Sequence, residues 1–125
     1  MAARILFADD DPTACLLMQA ALGGQGYSVT TVDNGNAALT AFSEAAFDMV
    51  LLDIEMPGLD GYLVCRELRR LYGDALPIVL ITGHDDREAI ADGFAVGASE
   101  FISKPINWST LAQRLRPLLE KIQPA

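Results

Sequence analysis

The chain has 125 residues, close to the commonest size of a single domain, so we expect one core and one domain over residues 1–125. Acidic residues outnumber basic residues by 17 to 9, and the net charge of -8 argues against direct nucleic-acid binding and against attachment to anionic membranes. The apolar runs are too short to cross a bilayer and the first residues lack the layout of a signal peptide, so we expect a cytoplasmic protein.

Short apolar runs rich in β-branched residues alternate five times with longer stretches of helical period. The predicted strands are residues 4–8, 27–32, 48–52, 77–82 and 100–103. Brief, fully apolar strands that alternate with helices are typical of a parallel sheet covered on both faces. The pattern therefore predicts a doubly wound α/β fold with three layers.

Helical period and capping residues predict a helix after each strand. The predicted helices begin near Pro12, after residues 34–36, after residues 60–61, near Arg87 and after Asn107. Asn107 is placed to cap the last helix, because its side chain can accept a hydrogen bond from a free backbone N–H group. Pro117 lies inside the last helical pattern and lacks an amide proton, so we expect that helix to bend or stop there.

Polar residues stand where the predicted strands end. They are Asp9, Asp10 and Asp11 after the first strand, Asp53 after the third, Thr82 at the end of the fourth and Lys104 after the fifth. Ligands of open parallel sheets bind beyond the carboxyl ends of the strands, so these residues should share one rim. Several carboxylates gathered there would repel each other without a cation, and oxygen ligands at a site that handles phosphate favour Mg²⁺. Capping of the first helix is the alternative interpretation of Asp9 to Asp11.

Asp53 follows a buried apolar run and precedes a turn at Pro57 and Gly58, so it should project into the crevice. A carboxylate can attack phosphorus and form an acyl phosphate when a metal and a cation neutralise the phosphoryl oxygens. Lys104 is the candidate cation. Thr82 is a candidate hydroxyl donor, although a β-branched residue can also simply fill the end of a strand.

These motifs together resemble response-regulator receiver domains along essentially the whole chain. The matching segments are residues 5–11, 48–53 with 56–61, 77–82, and 97–105. The resemblance implies the CheY-like, flavodoxin-like (βα)₅ fold with strand order 2-1-3-4-5. A weaker similarity, in residues 104–116, is to receivers that precede diguanylate cyclase modules, but Pro117 departs from the uninterrupted final helix expected of them.

The resemblance also implies a role for each residue at the rim. Asp53 would accept a phosphoryl group from a sensor histidine kinase or a phosphotransfer protein. Asp10, Asp53 and the Glu55 backbone carbonyl would hold Mg²⁺, and Asp9 would contact it through water. Thr82 and Lys104 would bind the phosphoryl oxygens.

Two further features follow from the resemblance. The Lys104–Pro105 peptide should be cis, a geometry nearly confined to proline. Phe101 is at the position of the switch aromatic, which would turn inward as Thr82 moves towards the phosphoryl group, although it is also interpretable as an ordinary core aromatic. The surface of the fourth helix, fifth strand and fifth helix would then meet an output domain, a partner protein or a second copy of the chain.

Glu55 and His84 lie two positions after Asp53 and Thr82, respectively. We hypothesise that they set the lifetime of the acyl phosphate by controlling the access of water; the alternative is that either residue merely faces solvent. Two other functions stay open. One is an interaction domain that never takes phosphate, and the other is an aspartyl-phosphate hydrolase of the haloacid dehalogenase type. On the favoured interpretation the chain is not an enzyme beyond its own phosphorylation and dephosphorylation.

Overall fold

The computed structural model describes residues 2–83 and 87–120, without the side chains of residues 87–89. The strands are β1 (Arg4–Ala8), β2 (Ser28–Val32), β3 (Met49–Asp53), β4 (Ile78–Thr82) and β5 (Glu100–Ser103). The helices are α1 (Pro12–Gly23), α2 (Gly35–Glu44), α3 (Gly61–Tyr72), α4 (Arg87–Ala95) and α5 (Leu111–Glu120). Within these described ranges, no helix combines the length and apolar character that a membrane crossing needs.

All neighbouring strands pair in parallel, in the order β2-β1-β3-β4-β5. This confirms the predicted fold and strand order. Ala8 lies opposite Leu52, and Thr82 lies opposite Ser103, so the strands end nearly level. Side chains that follow β1, β3, β4 and β5 therefore reach the same edge of the sheet.

The sheet separates two apolar clusters because successive strand residues point to opposite faces. Leu6 belongs to the cluster beneath α2, α3 and α4, whereas Ile5 and Phe7 belong to the cluster beneath α1 and α5. Every residue of β3 and β4 is buried. The continuous apolar runs of the sequence are thus explained by a sheet covered on both faces.

Three helices begin at capping residues that the chain carries at the strand ends or in the following loops. Asp11 caps α1 by accepting a hydrogen bond from the backbone N–H of Thr13, at 3.0 Å. Asn34 and Asp60 do the same for α2 and α3. These bonds satisfy donors that the first helical turn leaves free.

The expectation that Asn107 caps α5 is wrong, and of the two outcomes expected at Pro117, a bend or a stop, the stop does not occur. Asn107 instead begins a turn, residues 107–110, that directly precedes the helix. Its side chain accepts hydrogen bonds from the backbone N–H and the hydroxyl of Ser109, and its carbonyl accepts one from the backbone N–H of Thr110 at 3.2 Å. An asparagine side chain bonds readily to the backbone two residues on, and here that local turn prevails over a helix cap. The helix begins only at Leu111.

The helix α5 also does not stop at Pro117, but continues to Glu120. Proline removes one backbone hydrogen bond, which the rest of the helix can tolerate when its apolar side is anchored. Leu115 and Leu119, on either side of Pro117, are 0% and 4% exposed and belong to the core. Packing of these leucines explains why the helix persists.

Candidate functional site

Three carboxylates meet at the carboxyl edge of the sheet. Asp9 and Asp10 follow β1, and Asp53 is the last residue of the neighbouring strand β3; each contributes an oxygen that lies within 4.8 Å of the other two. Asp9 and Asp53 are 1% and 2% exposed, whereas Asp10 faces solvent. The alignment of β1 with β3 thus brings together acids that are far apart in the sequence.

The acidic run after β1 divides between two tasks. Asp11 is the helix cap described above, so the capping interpretation holds for that residue. Asp9 faces the cluster: one of its oxygens accepts from the backbone N–H of Asp11 at 2.9 Å, and the other, Oδ2, is buried without a hydrogen-bond partner in the described part of the chain. A buried carboxylate oxygen is costly unless something satisfies it.

Burial raises the pKa of Asp9 to about 6; the Asp11 hydrogen bond opposes this, and the charge of Asp53 adds to it. The donor set consists of carboxylate oxygens, which suit a hard divalent cation that prefers oxygen ligands. A cation among these oxygens would satisfy Asp9 Oδ2 and offset the mutual repulsion. The residues present therefore fit Mg²⁺.

Lys104 binds directly to Asp53. Its Nζ lies 2.6 Å from Asp53 Oδ2, while Asp53 Oδ1 accepts from the backbone N–H of Glu55 at 3.0 Å. Partial burial alone would lower the pKa of Lys104, but the hydrogen bond to Asp53 and the charge of Asp53 leave that pKa above its usual value. Lys104 is therefore a permanent cation beside Asp53. The Lys104–Pro105 peptide is cis.

Thr82 ends β4 at the same edge and is 2% exposed. Phe101, on β5, lies inward and is 8% exposed. Its ring meets Phe94 edge-on, with centroids 5.2 Å apart, and occupies the space that a Cβ at Gly93 would need. In this structure Phe101 therefore packs as a core aromatic, in the inward position that the sequence analysis assigned to the switched state.

The two remaining predicted site residues are Glu55 and His84. Glu55 is exposed and contributes its backbone N–H to Asp53. His84 lies outside the described residues. The proposed joint role of Glu55 and His84 thus stays a prediction.

Sequence reasoning missed Gly61 as a site residue. A Cβ at Gly61 would lie 2.6 Å from the Asp53 carbonyl oxygen, and the Gly61 N–H donates to the Ile54 carbonyl at 3.1 Å. The start of α3 can therefore press against the backbone of Asp53 only because residue 61 has no side chain. The signal in the sequence is the Asp60-Gly61 pair at the start of the helix, which by itself indicates only a helix start.

A cleft of about 450 Å³ opens beside Lys104, between α1 and the segment that joins β5 to α5. Its lining includes Leu17, Ile106 and Trp108 together with Asp9 and Lys104. A second cleft borders Asp9 and Asp10 between α1 and β2. Asp9 and Asp53 are thus buried, while the site is open to solvent at Asp10 and along these clefts.

Comparison with known proteins places this geometry in a family. The family described as the response regulator receiver domain matches residues 5–116. The DNA-binding response regulator MtrA of Mycolicibacterium smegmatis is 37% identical over 121 residues, covering 97% of this chain and 52% of that protein. The response regulator MprA of Mycolicibacterium vanbaalenii is 38% identical over 124 residues, covering 99% of this chain and 53% of that protein. The chain thus spans about half the length of these curated relatives.

Solved structures share the whole fold. The chemotaxis response regulator CheY4 of Vibrio cholerae superposes with a TM-score of 0.89 at 29% identity, covering 94% of this chain and 99% of that chain. The signal receiver domain of a signal transduction histidine kinase from Syntrophus aciditrophicus gives 0.90 at 30% identity, covering 99% and 95%. Because the family match extends over nearly all of the sequence and the topology agrees, this chain belongs to the response regulator receiver domain family, whose members are signalling domains.

Proposed function

We propose that this receiver domain accepts a phosphoryl group on Asp53 from the phosphohistidine of a sensor histidine kinase or a phosphotransfer protein. The observation that carries the proposal is the position of the Asp53 carboxylate, which lies 2.6 Å from the ammonium of Lys104 and within an acidic cluster with Asp9 and Asp10. Nucleophile, cation and candidate metal ligands converge there. Their convergence is what transfer of a charged phosphoryl group requires.

In the proposed step, a carboxylate oxygen of Asp53 forms a bond to phosphorus as the bond between phosphorus and the histidine nitrogen breaks. The departing nitrogen keeps the electron pair and takes up a proton. The backbone N–H of Glu55 holds Asp53 Oδ1, so the carboxylate is oriented before the donor arrives. Lys104 can transfer its hydrogen bond from Asp53 to a phosphoryl oxygen and stabilise the charge that develops there.

The residues that would hold Mg²⁺ are Asp9, Asp10, Asp53 and the backbone carbonyl of Glu55, with Asp9 acting through a water molecule. The buried, unpartnered Oδ2 of Asp9 supports this assignment. When bound, Mg²⁺ neutralises charge on the carboxylates and on the phosphoryl oxygens. Asp9 and Asp53, both nearly inaccessible to solvent, keep that charge in a poorly screened environment.

Phosphorylation adds about one to two negative charges at the rim. In our proposal, Thr82 turns its hydroxyl towards the phosphoryl group, and the loop after β4 moves with it. Phe101 lies against Gly93 and Phe94 of α4, so movement near β4 is transmitted to the surface of α4, β5 and α5. Reversal of a 1:99 population needs roughly 5.5 kcal/mol, which a few charge-assisted contacts can supply.

The changed surface is proposed to act on an output domain, a partner protein or a second copy of the chain. The net charge of -8 supports our inference that the chain does not itself bind nucleic acid or membranes. We also infer a cytoplasmic location, where a kinase phosphohistidine is accessible. Self-dephosphorylation is the only other reaction that we assign. Glu55 lies beside Asp53 in sequence and is proposed, with His84, to set its rate.

The decisive experiment is incubation with acetyl phosphate and Mg²⁺, followed by intact-mass measurement. We expect the added mass of one phosphoryl group on the wild type and none on Asp53→Asn. An unmodified wild type with an intact circular dichroism spectrum would overturn the proposal in favour of an interaction domain that takes no phosphate. Turnover of p-nitrophenyl phosphate would instead favour the hydrolase.

The lifetime proposal has its own test. Glu55→Asn and His84→Ala should each change the rate at which the phosphoryl group is lost, as followed by intact mass after removal of the donor. Unchanged rates in both variants would discard the role of these residues while leaving phosphorylation of Asp53 intact.

A further inference from the structure

The outer side of α3 carries an unusual share of exposed apolar surface. Six large hydrophobic side chains are markedly exposed in the described part of the chain, and α3 holds three of them, Leu63 at 46%, Leu71 at 50% and Tyr72 at 44%. Leu63 and Leu71 are eight residues apart, which places them about 12 Å apart on one side of the helix. Single exposed leucines are ordinary, but a group on one helix is not.

The core does not need these side chains. Val64, Cys65 and Leu68 form the inner side of α3, and each is fully buried. Tyr72 contacts the ring of Phe42 on α2, with centroids 4.5 Å apart, and extends the apolar surface towards that helix. The exposed group is thus an addition to a helix that is already anchored.

The same helix is basic in an acidic chain. Residues Arg66, Arg69 and Arg70 stand against one acid, Glu67, although the chain as a whole carries a net charge of -8. Glu67 pairs with Arg70. The donors of Arg69 go to three backbone carbonyls and one hydroxyl, so no carboxylate offsets its charge. Arg66 is exposed, and together with the hydrogen bond from Arg70 its charge helps to lower the pKa of Glu67.

Stabilisation of the helix end is the simpler explanation of the arginines. Cations in the last turn of a helix interact favourably with its dipole, and Arg69 and Arg70 are placed for that. This explanation does not account for the exposed Leu63 and Leu71 beside them. A surface that combines exposed apolar side chains with a net positive charge fits a partner better than it fits solvent.

We propose that Leu63, Arg66, Arg70 and Leu71, which we call the α3 patch, form a docking surface for an acidic amphipathic helix of another protein. The partner helix would carry apolar residues two turns apart and acidic residues to one side of them, because Glu67 lies between Leu63 and Leu71 on α3 whereas Arg66 and Arg70 lie beside that row. Its acids would meet Arg66 and Arg70, and its apolar side would cover Leu63 and Leu71. A second copy presenting the same face would set arginine against arginine, so another protein is the better complement.

The α3 patch extends away from the phosphoacceptor site. Gly61, at the start of α3, touches the backbone of Asp53, and Leu63 is two residues further on, whereas Leu71 lies about 15 Å along the helix axis from Gly61. Docking is therefore tested on the chain without phosphate, where the outcome does not depend on whether Asp53 can be phosphorylated.

The test uses the ¹⁵N-labelled full chain and two synthetic helical peptides. The acidic peptide is built of alanine and glutamate and the basic one of alanine and lysine, and each carries two leucines two turns apart. Titration followed by NMR should give saturable shifts on α3 with the acidic peptide and none with the basic one. The double variant Arg66→Glu, Arg70→Glu should weaken binding by about tenfold or more, and Leu63→Ala with Leu71→Ala by a similar factor.

Matched controls are Leu16→Ala, at a leucine 67% exposed on α1, and Arg116→Glu, at an exposed arginine on α5. Both should bind like the wild type. Absence of shifts, shifts outside α3, or equal binding of both peptides would overturn the proposal. Sedimentation that shows a dimer broken by the α3 variants would replace it with self-association. Thermal unfolding of each variant checks that binding is lost from a folded protein.

Discussion

Two cations at opposite ends of the sheet show how differently this molecule uses positive charge. Lys104 lies at the carboxyl end and binds the buried carboxylate of Asp53. Arg69 lies near the amino ends of β4 and β5, where it donates to the carbonyls of Gly73, Leu76 and Gly97 and to the hydroxyl of Ser99. The partner of Lys104 is a charged carboxylate, which we propose is exchanged for a phosphoryl oxygen on phosphorylation, whereas the partners of Arg69 are neutral.

The difference teaches that charge alone does not mark a functional residue. Arg69 connects α3 with the segments that lead into β4 and β5. The largest separation in sequence is 30 residues, in the bond to Ser99. The planar guanidinium group of Arg69 has several N–H donors in a fixed arrangement, so it can bind several carbonyls at once. We therefore expect Lys104 to govern chemistry and Arg69 to govern stability, and the following predictions separate the two.

The largest effect is expected for Lys104→Ala. Loss of the cation beside Asp53 should slow phosphorylation by acetyl phosphate about 10²-fold to 10³-fold, because the developing phosphoryl charge loses a preorganised partner. The free energy of unfolding should change by less than about 1 kcal/mol, since the ammonium is partly open to solvent. Phosphorylation kinetics and urea unfolding measure the two quantities. A wild-type rate would contradict the role assigned to Lys104.

Arg69→Ala should show the reverse pattern. Its hydrogen bonds come from a charged donor, and their loss should lower the free energy of unfolding by about 2 to 4 kcal/mol. The phosphorylation rate of the folded fraction should stay within a factor of about two. Arg69→Lys is the matched control, because it keeps the charge but loses the planar guanidinium group; recovery of full stability by lysine would show that charge rather than geometry matters.

Asp9→Asn should have two smaller effects: it should raise the stability and weaken the binding of Mg²⁺. Without Mg²⁺ the variant should be about 1 kcal/mol more stable than the wild type, because a buried carboxylate beside Asp53 becomes neutral. Mg²⁺ should bind about 10-fold to 100-fold more weakly. Fluorescence of Trp108, the single tryptophan, reports the titration from the neighbouring cleft. Asp33→Asn, an exposed carboxylate nearby, should leave both quantities unchanged.

The smallest effect is expected for the reactivity of the two cysteines, which lie near the Lys104 end and the Arg69 end of the sheet, respectively. Cys15 donates to the Asp9 carbonyl near the site, and Cys65 donates to the Val96 carbonyl near the Arg69 end. Burial raises the pKa of Cys65 from 9.0 to about 11, which leaves roughly a hundredfold less thiolate near neutral pH. Iodoacetamide should therefore label Cys65 only on unfolding, while the half-buried Cys15 reacts earlier.

The pKa shift of Cys65 also sets a direction for stability. The folded protein holds the thiol protonated more tightly than the unfolded chain does, so stability is fully present below pH 9 and is lost as the pH rises from 9 towards about 11. Cys65→Ala should remove this alkaline loss while lowering stability at neutral pH. Urea unfolding at several pH values distinguishes the two contributions.

Much of the fold was predictable because it follows from local patterns. Short buried runs alternating with helical periods indicated a parallel sheet covered on both faces, and the acids after β1 and β3 were expected at one edge. The family resemblance added the strand order and the cis peptide between Lys104 and Pro105. Motif spacing carries this information because level strand ends bring distant residues together.

Tertiary packing decided what local patterns could not. Pro117 signals the end of a helix, yet α5 continues because Leu115 and Leu119 are anchored in the core. Phe101 lies inward because Gly93, on another element, leaves room for its ring. These outcomes depend on which side chains face each other across the fold, and a linear pattern does not contain that pairing.

The sequence by itself therefore determined the class of fold, the edge that carries the acids and the candidate phosphoacceptor. Only the tertiary structure decided that Arg69 ties three segments together, that Gly61 presses α3 against Asp53, and that α3 leaves apolar and basic surface exposed. The physical reason is the distance along the sequence between the residues that interact. Period and strand-end position are properties of neighbouring residues, whereas these contacts arise only after the chain has folded back upon itself.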